Sequence, residues 1–229
     1  MADRFLVFGD IHGEWDKLES LLAQVPAGKG KRTKIRTGRA SAMETFLITD
    51  THIGHLKLER TGQRPVGFSE LIIERWRETV RDDDLVIHLG DVAFHSDTQL
   101  ARITDLPGRK ILVRGNHDTK SLPQYMERGF QFACDTFTMR LEGIRILFSH
   151  HPVKEHMADI NIHGHQHSLD IADTSRLYLP LALEYSDYRP IALDRGLLRT
   201  LRSWVDRKHV PTEKELLAVH QRALEERQI

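Results

Sequence analysis

Seven side chains that can bind metal ions recur in five short blocks of the sequence: Asp50, His52, Asp91, Asn116, His150, His165 and His167. Most of them directly follow an apolar run that predicts a β-strand. Strands that end at a common edge would bring these side chains together. Carboxylate, amide and imidazole ligands assembled in this way can form a two-metal hydrolytic site.

The types of ligand also indicate which metals would bind. A carboxylate such as Asp91 has two oxygens and can bridge two cations, whereas Asn116 offers a neutral carbonyl oxygen. The histidines favour first-row divalent ions, with manganese, iron and zinc as the candidates, over calcium, which prefers oxygen ligands alone. Two divalent ions carry four positive charges against the carboxylates of Asp50 and Asp91, so the site would attract a phosphate.

Composition places the chain among globular proteins and leaves its partner open. The 229 residues suffice for one sizeable domain, and Lys plus Arg (33) equals Asp plus Glu (33). This zero net charge argues neither for nor against an anionic partner. The single cysteine, Cys134, excludes an intramolecular disulfide and fits a reducing, cytoplasmic setting. Neither a transmembrane helix nor a signal peptide is predicted.

Strands and helices are predicted to alternate along most of the chain. The apolar runs predict strands at 45–49, 84–90, 110–115, 145–149 and 159–162. Helices are predicted after Ser69 as N-cap, over 97–105, and after a capping box formed by Thr212 and Glu215. This alternation predicts an α/β sandwich in which many strands pair in parallel.

The five blocks read D-x-H, G-D, G-N-H-D, H and G-H-x-H in chain order, and this pattern resembles the calcineurin-like metallophosphoesterase family. The resemblance extends from about Met43 to Asp194 and is greatest to small bacterial and phage members. It implies a four-layered α/β/β/α fold and a phosphoesterase with two divalent metal ions, manganese being favoured over iron or zinc.

The resemblance also implies a role for each site residue. One metal would be held by Asp50, His52, Asp91 and His167. The other would be held by Asp91, Asn116, His150 and His165, so that Asp91 bridges the two. His117 would donate a hydrogen bond or proton to the phosphoryl or leaving oxygen, and Asp118 would orient its imidazole. A hydroxide bridging two metals about 3.5–4 Å apart would attack the phosphorus directly.

Other polar residues have alternative interpretations. Asp118 could instead cap its own turn. His151 lies either near the substrate or simply exposed, and His55 and His163 either line the pocket or have structural hydrogen bonds. His88 and Cys134 are predicted to be buried core residues.

The first motif occurs twice. Residues 1–42 form a predicted extension in which Asp10 and His12 repeat the D-x-H spacing, followed by a basic linker from Lys29 to Arg39. There is only one set of later ligands, so only one D-x-H pair can complete the site. Asp50 and His52 have the spacing to Asp91 that the resemblance implies, so we assign the metallophosphoesterase domain to 43–229. The extension is a remnant of a duplicated start, a segment upstream of a true start at Met43, or a working appendage.

The resemblance favours a phosphodiester substrate, with a 2′,3′-cyclic nucleotide as the leading candidate. A phosphomonoesterase or protein phosphatase is the alternative enzyme, and nucleic acid is a less favoured substrate. A non-catalytic scaffold that binds metal or a partner is the alternative outside catalysis. The oligomeric state is not encoded in any pattern that we recognise.

Overall fold

The strands predicted from apolar runs are present, and they form two sheets. The computed structural model describes residues 43–94, 96–171 and 173–225. The extension with Asp10 and His12 therefore lies outside the described residues. The strands are β1 Thr45–Ile48, β2 Leu85–His88, β3 Arg109–Val113, β4 Phe132–Cys134, β5 Thr136–Leu141, β6 Ile144–Ser149, β7 Ile160–His163, β8 Tyr178–Pro180 and β9 Ile191–Ala192.

The first sheet has the order β4-β3-β2-β1-β9, and the second has the order β5-β6-β7-β8. Among the described residues, strands β1 to β4 pair in parallel, and β9 runs antiparallel to β1. In the second sheet β6, β7 and β8 are parallel, while β5 and β6 form an antiparallel hairpin. Parallel pairing makes successive strands end on the same side, which positions the polar residues that follow them.

Helices flank these sheets. They are α1 Leu56–Arg60, α2 Phe68–Thr79, α3 Asp97–Thr104, α4 Leu122–Glu127, α5 Arg195–Arg207 and α6 Glu213–Glu225, with a 3-10 turn at Leu183–Tyr185. Two sheets flanked by helices confirm the predicted α/β/β/α class. None of the helices in the described ranges is long and apolar enough to cross a membrane.

Apolar side chains fill the space on both faces of the first sheet. One cluster joins the two sheets, and there the stacked rings of Phe137 and Phe148 have centroids 4.8 Å apart. The other cluster packs helices α2 to α4 against the opposite face, around the fully buried Trp76. The Trp76 indole N–H donates to the Pro107 carbonyl at 2.9 Å, so the one polar atom of this side chain is satisfied.

The sequence predicted the start of one helix correctly and the N-cap of another incorrectly. The capping box of α6 is confirmed, because the Thr212 N–H donates to Glu215 Oε2 and the Glu215 N–H donates to Thr212 Oγ1. The predicted N-cap of α2 is wrong, because the helix begins at Phe68 with Gly67 as its cap. Ser69 instead accepts a hydrogen bond from the Gly54 N–H at 3.1 Å, which fastens α2 to the first ligand loop.

Candidate metal centre

The five predicted blocks converge at one edge of the two sheets. Asp50 follows β1, Asp91 follows β2, and Asn116 follows β3. In the second sheet His150 follows β6 and His165 follows β7. The first two loops are joined by backbone hydrogen bonds, from Asp50 N to Gly90 O and from His52 N to Asp91 O, both of 2.9 Å.

Most of the predicted ligands have an uncommon backbone conformation. Five of the seven have positive φ angles: Asp50 (50°), His52 (44°), Asp91 (55°), His165 (70°) and His167 (52°). Asp, Asn and His are enriched among the few non-glycine residues with left-handed backbones. Each strand therefore turns sharply as it ends, and the turn aims a side chain into the space between the loops.

A first group of ligand atoms surrounds Asp50. Asp50, His52 and His167 each offer one atom, and these atoms lie within 4.8 Å of one another. Asp50 Oδ1 lies 3.5 Å from His167 Nε2 and 3.8 Å from His52 Nε2. Its other oxygen is already bound, because Thr49 Oγ1 (2.6 Å) and His165 N (2.8 Å) donate to Oδ2.

The carboxylate of Asp91 lies between this group and a second one. Asp91 Oδ2 is 3.5 Å from His52 Nε2 and 3.4 Å from His150 Nε2. His150 Nε2 is also 2.9 Å from Asn116 Oδ1, which adds an amide oxygen to the second group. This is the position that a bridging carboxylate needs.

Two features of the hydrogen bonding around the ligand atoms show that this set of residues fits divalent cations. Within the described part of the chain, Asp50 Oδ1 is buried without a hydrogen-bond partner. A buried, unpartnered carboxylate oxygen is costly unless a cation or donor faces it. The outer nitrogen of His150 also has the partner expected of a metal ligand, because Nδ1 lies 2.7 Å from the Leu89 carbonyl oxygen.

The electrostatics agree with this assignment. Burial lowers the pKa of His52, and burial with the neighbouring His151 lowers the pKa of His165 to about 4. Both imidazoles are therefore neutral at neutral pH and keep a lone pair for a cation. Burial also raises the pKa of Asp50, and nearby positive charge opposes this shift by favouring the ionised carboxylate.

His117 stands beside the first group. Its ring centroid is 5.4 Å from that of His52, and its backbone N–H donates to Asp91 Oδ1 at 2.8 Å. The His55 ring lies 6.3 Å from the His117 ring and stacks on Phe94 at 4.1 Å. These two rings therefore form an aromatic wall next to His117.

The carboxylate of Asp118 contacts backbone N–H groups of the ligand loops. Its carboxylate accepts hydrogen bonds from the N–H groups of Asp91 (2.7 Å), Val92 (3.0 Å) and Gly115 (2.8 Å). The Gly115 contact caps the turn that holds Asp118, which is the alternative role, and the Asp91 and Val92 contacts tie the Asp91 loop to the Asn116 loop. A role of Asp118 in orienting the His117 imidazole stays a prediction.

His151 lies against the second group. Its ring centroid is 3.9 Å from that of His165, and ligand atoms of His150, His151 and His165 lie within 4.8 Å of one another. The His151 side chain is exposed to solvent. The structure therefore shows His151 exposed and next to the second group, and a contact with the substrate stays a prediction.

The predicted core residues are confirmed. His88 is fully buried, with Nε2 2.9 Å from Thr51 Oγ1 and Nδ1 accepting from the Gly90 N–H. His163, for which the sequence leaves two alternatives open, is buried with its Nδ1 2.9 Å from the Gly164 carbonyl oxygen, which fits the structural hydrogen bond. Cys134 is buried in the core between the sheets.

Two residues near the centre have no counterpart in the sequence motifs. Glu184 Oε1 lies 3.0 Å from His167 Nδ1, and Arg64 Nη2 lies 3.1 Å from the same nitrogen. Burial opposes ionisation of Glu184, but the hydrogen bond with His167 and the charge of Arg64 lower its pKa to about 2. The two residues are 120 positions apart, and no local pattern could have paired them.

The glycines of the motifs are required by close packing. A Cβ on Gly164 would lie 1.9 Å from Thr49 Oγ1 and 2.5 Å from Asp50 Oδ2. A Cβ on Gly115 would similarly lie 2.2 Å from Asp91 Oδ1. Both carboxylates therefore sit where only glycine leaves room.

We predict that Gly164→Ala displaces Asp50 and lowers Mn²⁺ affinity at one site by roughly 10–100-fold, the usual effect of disturbing a ligand's support. Calorimetric titration of the metal-free protein measures this change. Gly196→Ala is the control, because its Cβ would meet only the flexible end of Arg222. Binding of Mn²⁺ to Gly164→Ala with wild-type affinity would contradict the prediction.

Comparisons with known proteins agree with the geometry. A sequence profile of the calcineurin-like phosphoesterase superfamily domain matches residues 43–180. The uncharacterized protein MJ1445 of Methanocaldococcus jannaschii is 27% identical over 169 residues, covering 67% of this chain and 89% of that protein. The gene 66 protein of Mycobacterium phage L5 is 29% identical over 163 residues, covering 54% and 77% respectively.

A solved structure shares the architecture. The crystal structure of a protein of unknown function, AQ665 from Aquifex aeolicus, superposes with a TM-score of 0.58 at 26% identity. The match covers 69% of this chain and 99% of that one. With the profile match over more than half of the sequence, these findings show that the chain belongs to the calcineurin-like phosphoesterase superfamily.

Proposed function

We propose that this protein is a binuclear, metal-dependent phosphoesterase. In this proposal the first cation is held by Asp50, His52, Asp91 and His167. The second is held by Asp91, Asn116, His150 and His165. The observation that carries the proposal is the position of Asp91 Oδ2, 3.5 Å from His52 Nε2 and 3.4 Å from His150 Nε2.

When bound, two divalent cations supply Lewis-acid chemistry at a phosphoryl group and to water. The chain's own residues then orient the substrate and handle its protons. His117 donates a proton or hydrogen bond to the leaving oxygen in this proposal, which is supported by its ring lying beside His52 and by its backbone N–H bonding to Asp91. Asp118 supports this arrangement by holding the Asp91 loop.

For the substrate we propose a phosphodiester, with a 2′,3′-cyclic nucleotide as the leading candidate. The family resemblance supports a diester, and the aromatic wall of His55 and Phe94 offers a surface for a base. A phosphomonoester is the alternative substrate. We further propose manganese as the metal and the cytoplasm as the location, the latter because the chain has a single, buried cysteine.

We predict Mn²⁺-dependent hydrolysis of bis-p-nitrophenyl phosphate, and we predict that His117→Asn lowers kcat by about 10²–10⁴-fold, the usual contribution of a general acid. Steady-state kinetics measure both effects, and calorimetry checks that the variant still binds two Mn²⁺ ions. Lack of turnover with Mn²⁺, Fe²⁺ or Zn²⁺ despite full metal binding would favour the scaffold alternative.

A panel of four substrates tests the preference for diesters. We expect kcat/KM to be greatest for 2′,3′-cyclic AMP, compared with 3′,5′-cyclic AMP, a phosphomonoester and a short oligonucleotide. The comparison uses one metal, one pH and one salt concentration, because binding of charged substrates varies with ionic strength. A higher kcat/KM for the phosphomonoester would replace the diester proposal with the monoesterase alternative.

The duplicated first motif gives a matched pair of variants. Asp50→Ala should abolish metal-dependent hydrolysis, because it removes the carboxylate of the first group, whose Oδ1 is buried without a hydrogen-bond partner among the described residues. Asp10→Ala should retain wild-type kcat/KM, because the single set of later ligands completes only one D-x-H pair, and Asp50 has the expected spacing to Asp91. Loss of hydrolysis in the Asp10 variant alone would overturn the assignment of the first ligand pair.

A further inference from the structure

The outer nitrogen of His167 faces two partners of opposite chemistry. Nδ1 lies 3.0 Å from Glu184 Oε1, which can only accept a hydrogen bond once ionised. It also lies 3.1 Å from Arg64 Nη2, which can only donate. The inner nitrogen, Nε2, points to the metal centre and lies 3.5 Å from Asp50 Oδ1.

These two partners favour opposite tautomers of the imidazole. A neutral imidazole that gives its Nε2 lone pair to a cation carries its proton on Nδ1. That N–H needs an acceptor, and Glu184 provides one. Hydrogen bonding from Arg64 to Nδ1 instead requires a lone pair there, which places the proton on Nε2 and blocks it as a ligand.

Arg64 is held firmly by other contacts, so it cannot simply move away. Its side chain is 1% exposed, its Nε donates to Glu184 Oε1 at 2.9 Å, and its Nη1 donates to the Thr51 carbonyl at 3.3 Å. The guanidinium carbon also lies 5.0 Å from the Phe68 ring and 5.8 Å from the Tyr188 ring. Thr51 stands between two predicted ligands, so Arg64 also supports the first ligand loop.

One oxygen of Glu184 serves both neighbours. Oε1 accepts from Arg64 Nε and faces His167 Nδ1, whereas Oε2 is buried without a partner among the described residues. Arg64 therefore fixes the carboxylate, and the carboxylate in turn faces the imidazole. Glu184 belongs to the 3-10 turn at Leu183–Tyr185, beyond the last residue of the family match at 180.

We propose that Glu184 is a positioning residue that selects the metal-binding tautomer of His167, and that Arg64 holds Glu184 in place for this task. The inference rests on the proposed function in one respect, that His167 is a metal ligand. Its consequence is specific. Without Glu184, Arg64 remains as the partner of Nδ1, and the imidazole changes to the tautomer that cannot bind a cation through Nε2.

The tautomer can be observed directly in the metal-free protein. Long-range ¹H–¹⁵N correlation NMR at a pH of about 8.5, above the ordinary pKa of imidazole, distinguishes the two ring nitrogens. His167→Gln identifies the His167 signals. We expect a proton on Nδ1 in the wild type and on Nε2 in Glu184→Ala. Glu184→Gln keeps an acceptor oxygen and should keep the wild-type tautomer, which also provides a variant if Glu184→Ala fails to fold.

Calorimetric titration with Mn²⁺ provides the second measurement. Glu184→Ala should lose about 10–100-fold in affinity at one of two sites, as expected when a ligand's supporting carboxylate is removed, and Glu184→Gln should lose less. Asp159→Asn is the matched control, because it breaks the ion pair with Arg145 (2.9 Å) on β6 without touching the centre. It should keep both affinities.

The outcomes separate this proposal from a purely structural ion pair. A structural role would lower the melting temperature of Glu184→Ala but leave the tautomer and both Mn²⁺ affinities unchanged, and that result would overturn the proposal. If the wild-type protein binds fewer than two Mn²⁺ ions, the proposed function fails instead. The tautomer measurement still decides the role of Glu184, because it requires no metal.

Discussion

The arrangement of this protein depends on holding two buried carboxylates close together at one edge of the fold. Asp50 and Asp91 follow neighbouring parallel strands, so their charges are forced into the same small volume. Like charges in a buried site are unfavourable unless positive charge compensates them. Three features help to accommodate these charges: the surrounding imidazoles, the backbone donors, and the glycines that leave room for the carboxylates. Divalent cations would supply the remaining positive charge.

The sequence predicted the residues that share a strand end and failed where a contact depends on tertiary packing. Asp50, Asp91 and Asn116 could be grouped because parallel strands end together, and His150 and His165 because the second sheet repeats the rule. The partnership of Arg64 with Glu184 could not be predicted, because it joins the entry to α2 with a short turn near the C-terminal helices. Ser69 shows the same limit on a smaller scale. Serine is a common N-cap residue, but here its side chain accepts a hydrogen bond from another loop.

The bracing by Asp118 illustrates a related ambiguity. A carboxylate next to a histidine can orient that ring, which is the favoured prediction, or cap the surrounding turn. Only the positions of the Asp91, Val92 and Gly115 N–H groups decide which contacts the oxygens make. Family membership in turn identifies the type of chemistry, whereas the choice of substrate depends on the walls around the centre, to which His55, Phe94 and His151 belong.

The left-handed backbones of the ligand residues have a further consequence. For an L-residue this conformation costs about 1–2 kcal/mol, with Asp and Asn among the least affected. Glycine would relieve the strain at every such position, and it would also remove the ligand. The fold therefore gives up part of its backbone stability at the very positions where it gains chemistry. Replacing these ligands with glycine would therefore stabilise the local backbone while destroying the metal centre. Conformational stability and metal binding thus place opposite demands on the same residues.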